Sequence, residues 1–454
     1  MQGRDLHEEL IKEFLRRVKL IYEGHSGSIP WENISELKES DLVSPEELFS
    51  EEESIPYLDG STVVIKLNGG LGTSMGLNQA KSLIPAKEGL SFIQIIKKQI
   101  LAFRKKHGVP IPLIFMNSFY TQEDTLAEDG IASINMGIRG DLPADFLQNM
   151  IPRLDAESLL PAGDGSSPSD WCPPGHGDIF LAMKISGLLE HLLSAGYRTA
   201  FISNSDNLGA VLDPVILAYF KQNELDFLSE VTPKTSSDIK GGVLYRSQDR
   251  NRIELLECAQ VEKKHLPDFE NTTRFSSFNI NNLWINLESL RDMLERGFEL
   301  PIIRNPKTIK GKHVLQLESA MGAAIGLFER SRVIPVSRDR FIPVKNCSDL
   351  LACRSDAFLL DKDSYSLKRN RGCKEEPLHV RLDKNYASLH EFEHFFPLIP
   401  SLCEADSLEI HGPVLFDKKV RITGKVSIIN ENDETTPISH ISRESFKDEE
   451  LHLG

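Results

Sequence analysis

The stretch LNGGLGTSMGLNQAKS, residues 67–82, decides how the rest of this sequence is interpreted. It holds four glycines within eight positions, and Lys81 follows five residues after the last of them. The apolar, β-branched run 62–65 precedes it, so the loop begins where a strand ends. Because glycines leave successive backbone N–H groups uncovered, the stretch predicts a loop that holds an anionic ligand.

Spacing separates three kinds of phosphate-binding loop. A dinucleotide fingerprint fails, because counting from Gly70 places Met75 where the third glycine must stand. A P-loop fails as well, because Ala80 and not glycine precedes Lys81. A nucleotide-sugar pyrophosphorylase loop, L-x-G-G-x-G-T-x-x-G followed by lysine, fits. The loop alone leaves open a glycine-rich turn without a ligand.

The composition limits the class of protein. A chain of 454 residues with 40% hydrophobic and 26% charged residues predicts a soluble globular protein of two domains, with three as the alternative. The net charge of −15 disfavours a nucleic-acid binder. An anionic ligand must therefore be held by local lysines and backbone N–H groups.

The cysteine spacing and the N-terminal sequence indicate in which cellular compartment the protein folds. The six cysteines show no CxxC spacing, which predicts neither a disulfide framework nor a zinc site and favours a reducing environment. No signal peptide is visible, and no apolar stretch is long enough to span a bilayer. These features predict a cytoplasmic protein without membrane contact.

The chain has three regions that differ in their pattern of apolar residues. Residues 6–21 place apolar side chains on one helical face, which favours packing on the protein's own domain over a membrane or partner helix. Ser44–Glu47 is a capping box that predicts a short helix. Short β-branched runs then alternate with helical stretches, which predicts a mainly parallel sheet covered on both faces. The strands are predicted at 62–66, 111–116 and 199–203, and the helices at 91–106 and 179–195.

Apolar and polar residues alternate from about residue 408, with Gly412 and Gly424 as punctuation. This pattern predicts an all-β module of a few solenoid coils. The stretch after Asn430 is polar and is predicted to be a mobile tail.

Eight motifs follow one another along the chain: LNGGLGTSMG with Lys81-Ser82, WCPPGHGD (171–178), NSDNLG (204–209), KGG (240–242), CAQV (258–261), FNINNLW (278–284), LQLESAMGAAI (315–325) and RFIPVK (340–345). In this order, from about residue 60 to about residue 430, they resemble the eukaryotic-type UTP–glucose-1-phosphate uridylyltransferase family, the UDP-glucose pyrophosphorylases. Two departures stand out. Gln79-Ala80 replaces Gly-Pro before the lysine, and Ser74 occupies a position that is arginine in the bacterial-type and N-acetylhexosamine relatives.

The resemblance implies an α/β fold with a Rossmann-like, GT-A-like mixed sheet and a C-terminal left-handed β-helix. The implied units are an N-terminal helical segment (1–55), a nucleotidyltransferase domain (56–385), the β-helix module (386–430) and the polar tail (431–454). It also implies Mg²⁺-dependent transfer of a uridylyl group from UTP to glucose 1-phosphate, and it makes the C-terminal module a candidate for homo-oligomer assembly. The alternatives are another sugar 1-phosphate, such as that of galactose or N-acetylglucosamine, a nucleotide-sugar sensor without turnover, and a scaffold.

Such a reaction joins two polyanions, so it needs charge neutralisation and alignment more than a base. Asp206 follows the apolar run 199–202, which places a carboxylate at the carboxyl end of a strand; capping the next helix is the alternative. The resemblance makes Asp206 the Mg²⁺ ligand and makes Lys81 and Lys345 the catalytic phosphate lysines. A single carboxylate suffices, because magnesium keeps several of its waters.

The resemblance also nominates the substrate contacts. For the nucleotide they are Leu67, Asn68, Gly69, Gly70, Gly72, Lys81, Gln148, Gly175, Asn204, Ser205, Asp206 and Lys345. For the sugar phosphate they are His176, Asn204, Gly241, Asn281, Asn282 and Glu318. The amide of Gln148 can offer a donor and an acceptor to the uracil edge. His176, between two glycines that allow close approach, can donate to a phosphate oxygen, whereas Trp284 is predicted to be core.

Overall fold

The structure, a computed structural model, describes residues 6–235, 238, 241–373 and 378–453. A seven-stranded mixed sheet lies at its centre. Its strands are β1 (Thr62–Asn68), β2 (Leu113–Asn117), β3 (Asp145–Leu147), β4 (Thr199–Asn204), β5 (Phe227–Pro233), β6 (Ser277–Asn286) and β7 (Ser331–Pro335). Their spatial order is β7-β5-β6-β4-β1-β2-β3, and β6 runs antiparallel to both of its neighbours. The prediction of an α/β fold with a mixed central sheet is confirmed.

The middle of the sheet is covered on both faces. All seven residues of β1 are buried, as expected for a strand between two layers of helices. The helix Phe92–His107 covers one face, and it ends at Gly108 in the left-handed region (φ +68°). The other face is covered by Ile179–Ile185 and Leu188–Ser194, which were predicted as one helix. Gly187 (φ +75°) separates them, because a left-handed residue ends the first helix.

The other helices are Glu8–Tyr22, Glu51–Ser54, Gln122–Ala127, Pro214–Gln222, Leu266–Glu270, Leu287–Arg296, Cys347–Arg354 and Leu389–Phe395. Smaller sheets join Ile34–Ser35, Gly242–Ser247 and Ile253–Glu257; Leu154–Asp155, Ile303–Ile309 and Lys312–Glu318; and, as pairs, Pro85–Lys87 with Leu90–Ser91, Ile151–Pro152 with Trp171–Cys172, Phe358–Leu360 with Leu367–Arg369, and Val414–Leu415 with Thr436–Pro437.

The N-terminal helix packs on its own protein, as predicted. Leu10 and Phe14 are buried in one cluster with Leu315 of the hairpin 303–318 and with Ile302, which directly precedes that hairpin. The predicted capping box at residues 44–47 is present as a turn of 3₁₀ helix.

Four parallel strands form the C-terminal region: β8 (His379–Leu382), β9 (Ser401–His411), β10 (Arg421–Asn430) and β11 (Ser445–Leu453). The prediction of stacked, alternating strands is confirmed. The prediction of a polar tail is wrong for residues 445–453, because they pair with β10 and bury Phe446 completely. That strand is hidden in the sequence by its many charges, which point outward.

One hydrophobic cluster runs without interruption from the Phe92–His107 face of the central sheet to the C-terminal strands. Phe115 of β2, Phe392 and Phe446 of β11 all belong to it. The C-terminal strands are therefore packed on the central sheet through a shared core.

The cysteine prediction needs correction. Cys373 and Cys403 form a disulfide that ties the segment before β8 to β9. Sequence spacing of 30 residues does not reveal such a pair, because the fold alone brings the two thiols together. No helix among the described residues is both long enough and apolar enough to cross a membrane.

Candidate active site

The glycine loop closes on itself at the carboxyl end of β1. Leu71 and Ala80 form an antiparallel bridge, and the Lys81 N–H donates to the Gly70 carbonyl at 3.2 Å. The Ala80 N–H donates to Asp124 Oδ2 at 2.8 Å. Proline, which the family carries at this position, has no N–H to donate. The contact of the Ala80 N–H with Asp124 thus restrains the turn before Lys81.

Gln148 connects the loop to a second glycine-rich segment. A Cβ added to Gly69 would lie 2.8 Å from Gln148 Oε1, so these residues are in direct contact. Gln148 Nε2 donates to the Gly175 carbonyl at 2.8 Å. A Cβ at Gly70 would meet nothing within 4 Å, so this glycine faces open space. Four residues nominated for the nucleotide therefore lie together: Gln148 joins Gly69 to Gly175, and Gly70 borders open space beside them.

Asn68 and Ser205 are nominated for the nucleotide, but their side chains are buried and occupied. Asn68 Nδ2 donates to Asn117 and Thr125 at 2.9 and 2.8 Å, and its Oδ1 accepts from Ser205 Oγ at 3.0 Å. The Ser205 N–H donates to the Leu67 carbonyl at 3.0 Å. These bonds hold the ends of β1, β2 and β4 together, and the nomination of both residues for the nucleotide stays a prediction. Gly72 is likewise packed, since a Cβ there would lie 2.6 Å from Leu77.

The three residues nominated as catalytic converge. Lys81 Nζ lies 2.8 Å from Asp206 Oδ2, and both side chains are only partly exposed. The Val344 N–H donates to the Asp206 carbonyl at 3.1 Å, which places Lys345 beside the same loop. Burial raises the pKa of Asp349, whereas N–H donors at Lys345 and Asn346 and the charges of Lys345 and Lys81 lower it. The charges of both lysines therefore act on the Asp349 carboxylate. Asn204, at the end of β4, is half-buried beside them.

His176 is held as a neutral imidazole. Its Nδ1 accepts the Met321 N–H at 3.0 Å, so the ring proton is carried by Nε2. Burial lowers the pKa of His176 to about 4. The ring can therefore donate one hydrogen bond from Nε2 and carries no charge near neutral pH.

We expect the His176 imidazole to remain unprotonated from pH 8 down to about pH 5. Its folded-state pKa of about 4 lies below the ordinary histidine value of 6.5, so the unfolded chain binds more protons between these values. The stability contributed by this group is therefore complete above pH 6.5 and is lost as the pH falls toward 4. An NMR titration of the histidine ring, assigned with His176→Asn, measures this directly. A ring pKa near 6.5 contradicts the prediction.

Gly175 and Gly177 have a structural reason to be glycine that differs from the predicted close approach to a ligand. Gly175 has φ +84°, and a Cβ there would lie 2.4 Å from the Ser319 carbonyl oxygen. A Cβ at Gly177 would lie 2.6 Å from Ser319 Oγ. Both glycines therefore let the segment pack against Ser319, next to Glu318.

Two alanine substitutions are expected to separate packing from ligand approach. Gly175→Ala combines a left-handed backbone with a clash against backbone atoms, and we expect it to lower the free energy of unfolding by about 3 kcal/mol or more. Gly70→Ala meets open space, so we expect unchanged thermal stability and weakened UTP binding. Differential scanning calorimetry and UTP titration measure the two effects. Equal UTP affinity of Gly70→Ala and the wild type contradicts the placement of the nucleotide.

Asn281 and Asn282, both nominated for the sugar, lie at a bulge of β6, where the register with β5 shifts opposite Glu230. Asn281 adopts φ +57° and accepts from Asn279 Nδ2 at 3.0 Å. Asn282 is completely buried and donates from Nδ2 to Glu230 Oε2 at 2.9 Å. The Nδ2 group of Asn282 is thus engaged by Glu230, and the nomination of Asn282 for the sugar stays a prediction. Trp284 is core, as predicted, and packs on Phe201.

The remaining sugar candidates lie on neighbouring segments. Gly241 has φ +137°, and a Cβ there would lie 2.4 Å from the Phe278 ring. Lys240 of the same motif lies outside the described residues. Glu318 accepts from Asn305 Nδ2 at 2.7 Å, and burial raises the pKa of its carboxyl.

Several residues at the site were not predicted. Glu257 directly precedes the CAQV motif. Burial raises the pKa of its carboxyl to about 7, and the charge of Lys345 partly opposes this shift. Asp178 accepts from the N–H and Nδ2 of Asn149, next to Gln148, and burial raises its pKa to about 6. Glu230 is described below. Glu257 adjoins the CAQV motif and Asp178 belongs to WCPPGHGD, so both positions could have been proposed from the sequence. Glu230 stands in an ordinary strand pattern, which gives no such indication.

The family profile described as UTP–glucose-1-phosphate uridylyltransferase matches residues 11–423. The match includes every residue nominated for the site. The chain belongs to the UTP–glucose-1-phosphate uridylyltransferase family.

Relatives from this uridylyltransferase family match along most of their own length. The enzyme of Encephalitozoon cuniculi is 39% identical over 420 residues, which are 92% of this chain and 83% of the relative. That of Solanum tuberosum is 39% identical over 423 residues, 91% and 87% of the two chains. Among solved structures, a UDP-glucose phosphorylase from Trypanosoma brucei is 37% identical, with a TM-score of 0.90 and coverage of 100% of this chain and 98% of that one. A Leishmania major UDP-glucose pyrophosphorylase variant in complex with UDP-glucose is 35% identical, with a TM-score of 0.89 and the same coverage.

Proposed function

We propose that the chain transfers the uridylyl group of UTP to glucose 1-phosphate, giving UDP-glucose and pyrophosphate in a reversible reaction. The observation that carries the proposal is the convergence of Lys81, Asp206 and Lys345 beside the glycine loop. Two cations and one carboxylate at the carboxyl edge of a sheet suit a reaction between polyanions. Membership of the uridylyltransferase family supports the choice of substrates.

The chemistry follows from the charges. A phosphate oxygen of glucose 1-phosphate attacks the α-phosphorus of UTP, a P–O bond forms there, and the α–β bridge breaks with its electron pair leaving on pyrophosphate. The nucleophile is already ionised, so no base is required, and the barrier arises from repulsion and alignment. Lys81 and Lys345 neutralise phosphate oxygens. His176 Nε2–H donates to the sugar phosphate without adding charge.

Selection of the base falls to the opening between Gly69, Gly70 and Gly175. Gln148 lies between the two glycine segments, and its Oε1 and Nε2 present an acceptor and a donor there. Uracil offers the complementary pair on its edge. We place the uracil against Gln148 and the ribose and phosphates along the loop toward Lys81.

We propose Mg²⁺ as the metal. Asp206 presents an oxygen ligand of the kind that magnesium prefers, and the described residues hold no group of three or more His, Cys, Asp or Glu side chains that would form a dedicated protein cage. A metal held by one carboxylate, phosphate oxygens and waters fits this donor set. When bound, it neutralises charge on the α-phosphate and orients the phosphate chain.

The C-terminal region extends the proposal. Four parallel strands in one sheet support a C-terminal left-handed β-helix, and the position of β11 at the edge of that sheet supports homo-oligomer assembly through this module. Although Cys373 and Cys403 are bonded, we assign the enzyme to the cytoplasm, because Cys172, Cys347 and Cys353 are buried cysteines outside that disulfide.

The test is pyrophosphate release with UTP and Mg²⁺ against a panel of glucose, galactose and N-acetylglucosamine 1-phosphates. We expect release with glucose 1-phosphate and its loss when EDTA removes the metal. Preference for another sugar would change the substrate and keep the mechanism. UTP binding without release for any sugar would overturn the enzyme proposal in favour of a sensor.

A further inference from the structure

Glu230, in the middle of β5, is completely buried and accepts four hydrogen bonds. Two come from β6, where Asn282 Nδ2 donates to Oε2 at 2.9 Å and Trp284 Nε1 donates to Oε1 at 3.0 Å. Two come from Arg340, whose Nε and Nη2 lie 2.7 and 2.6 Å from Oε2 and Oε1. A single carboxylate thus joins two segments that are far apart in the sequence.

Each of these segments leads to the site. On the β6 side, Asn282 follows Asn281, whose left-handed backbone turns its side chain at the bulge. On the other side, Arg340 begins the segment that ends in Lys345. That segment is pinned to the Asp206 loop: Asn207 Nδ2 donates to the Arg340 carbonyl at 2.9 Å, and the Ile342 N–H donates to Asn207 Oδ1 at 2.9 Å.

The charge of Glu230 also acts on Lys66, a buried lysine of β1. Lys66 of β1 is buried, with Nζ donating to Ser203 Oγ at 2.7 Å and to the Ala210 carbonyl at 2.6 Å. Burial and the nearby Arg340 lower the pKa of Lys66 to about 7, and Glu230 opposes them. Burying two cations is costly without an acid between them, so Glu230 has an electrostatic as well as a geometric role.

We propose that Glu230 is a positioning residue for uridylyl transfer, which holds the sugar-facing strand and the Lys345 segment in register with each other. The inference rests on the proposed function, because it assigns Asn281 to the sugar and Lys345 to the phosphates. Both substrates would then be aligned through one buried carboxylate that touches neither of them.

The test compares Glu230→Gln with Asp226→Asn. Glutamine has the same shape but turns an NH₂ group toward donors, so at least one bond to Asn282 or Arg340 is lost. Asp226 is a matched control, since it is also a buried acid that accepts from an arginine, Arg330, and from Ser289, but it anchors a helix away from the site. We expect Glu230→Gln to raise KM for glucose 1-phosphate and to lower kcat, each about tenfold, by misalignment. We expect Asp226→Asn to lower Tm while leaving KM unchanged.

A double variant separates positioning from folding. Replacing both partners of a buried ion pair costs less stability than replacing one. We therefore expect Glu230→Gln with Arg340→Gln to regain Tm relative to Glu230→Gln and to keep the raised KM and lowered kcat. Recovery of both kinetic constants together with Tm would overturn the inference. So would wild-type KM and kcat in Glu230→Gln, whereas an inactive wild type would instead overturn the proposed function.

Discussion

Asp206→Asn is expected to lower kcat/KM for UDP-glucose formation roughly a thousandfold, because it removes the charge that we propose binds the metal and that pairs with Lys81. Asparagine keeps the shape and the Val344 N–H bond to the backbone carbonyl, so the fold should be retained. Steady-state kinetics over a range of Mg²⁺ concentrations measure the effect, and circular dichroism checks the fold.

The control for Asp206 is Asp59→Asn. Asp59 also forms a close carboxylate–lysine pair, with Lys221 at 2.6 Å, but this pair lies at the surface away from the glycine loop. We expect wild-type kinetics from it. A residual kcat/KM of Asp206→Asn within tenfold of the wild type, at any Mg²⁺ concentration, would refute the metal role.

Lys345→Met is expected to lower kcat roughly a hundredfold, because methionine keeps the aliphatic stem and removes the charge that we propose neutralises the phosphates. The effect should extend to the reverse reaction, in which KM for pyrophosphate rises. The same change removes the cation that lowers the pKa of the half-buried Glu257. Initial rates in both directions, measured from pH 6 to pH 9, provide the test.

Lys425→Met serves as the matched control for Lys345, since Lys425 is an exposed lysine on β10. It should leave both directions unchanged. If Lys345→Met altered KM for glucose 1-phosphate alone and spared kcat, Lys345 would belong to the sugar and not to the transferring phosphate.

Much of the site could be predicted because of how parallel sheets are built. Residues that follow β1 and β4 meet at one edge whatever the intervening sequence does, so Lys81 and Asp206 could be paired from motifs and strand ends alone. The predicted strands 62–66, 111–116 and 199–203 are confirmed as β1, β2 and β4 with small shifts at their ends.

What could not be predicted depends on side-chain direction and on contacts between distant segments. Asn281 and Asn282 look equivalent in the sequence, but a bulge directs one to the site edge and the other to Glu230. Glu230 itself reads as an ordinary polar residue of a strand. The Cys373–Cys403 bond and the Ala80–Asp124 contact likewise join segments whose proximity only the fold determines.

The uninterrupted hydrophobic cluster between the central sheet and the C-terminal strands has a consequence for how this molecule loses its structure. Side chains such as Phe392 and Phe446 contribute to the same interior as Phe115, so removing β8–β11 would expose apolar surface on both pieces. The two regions should therefore melt in a single cooperative transition, and the catalytic half should not survive as an excised fragment. Evolutionary change in the C-terminal strands is in this way constrained by the enzyme's interior as well as by any partner at its surface.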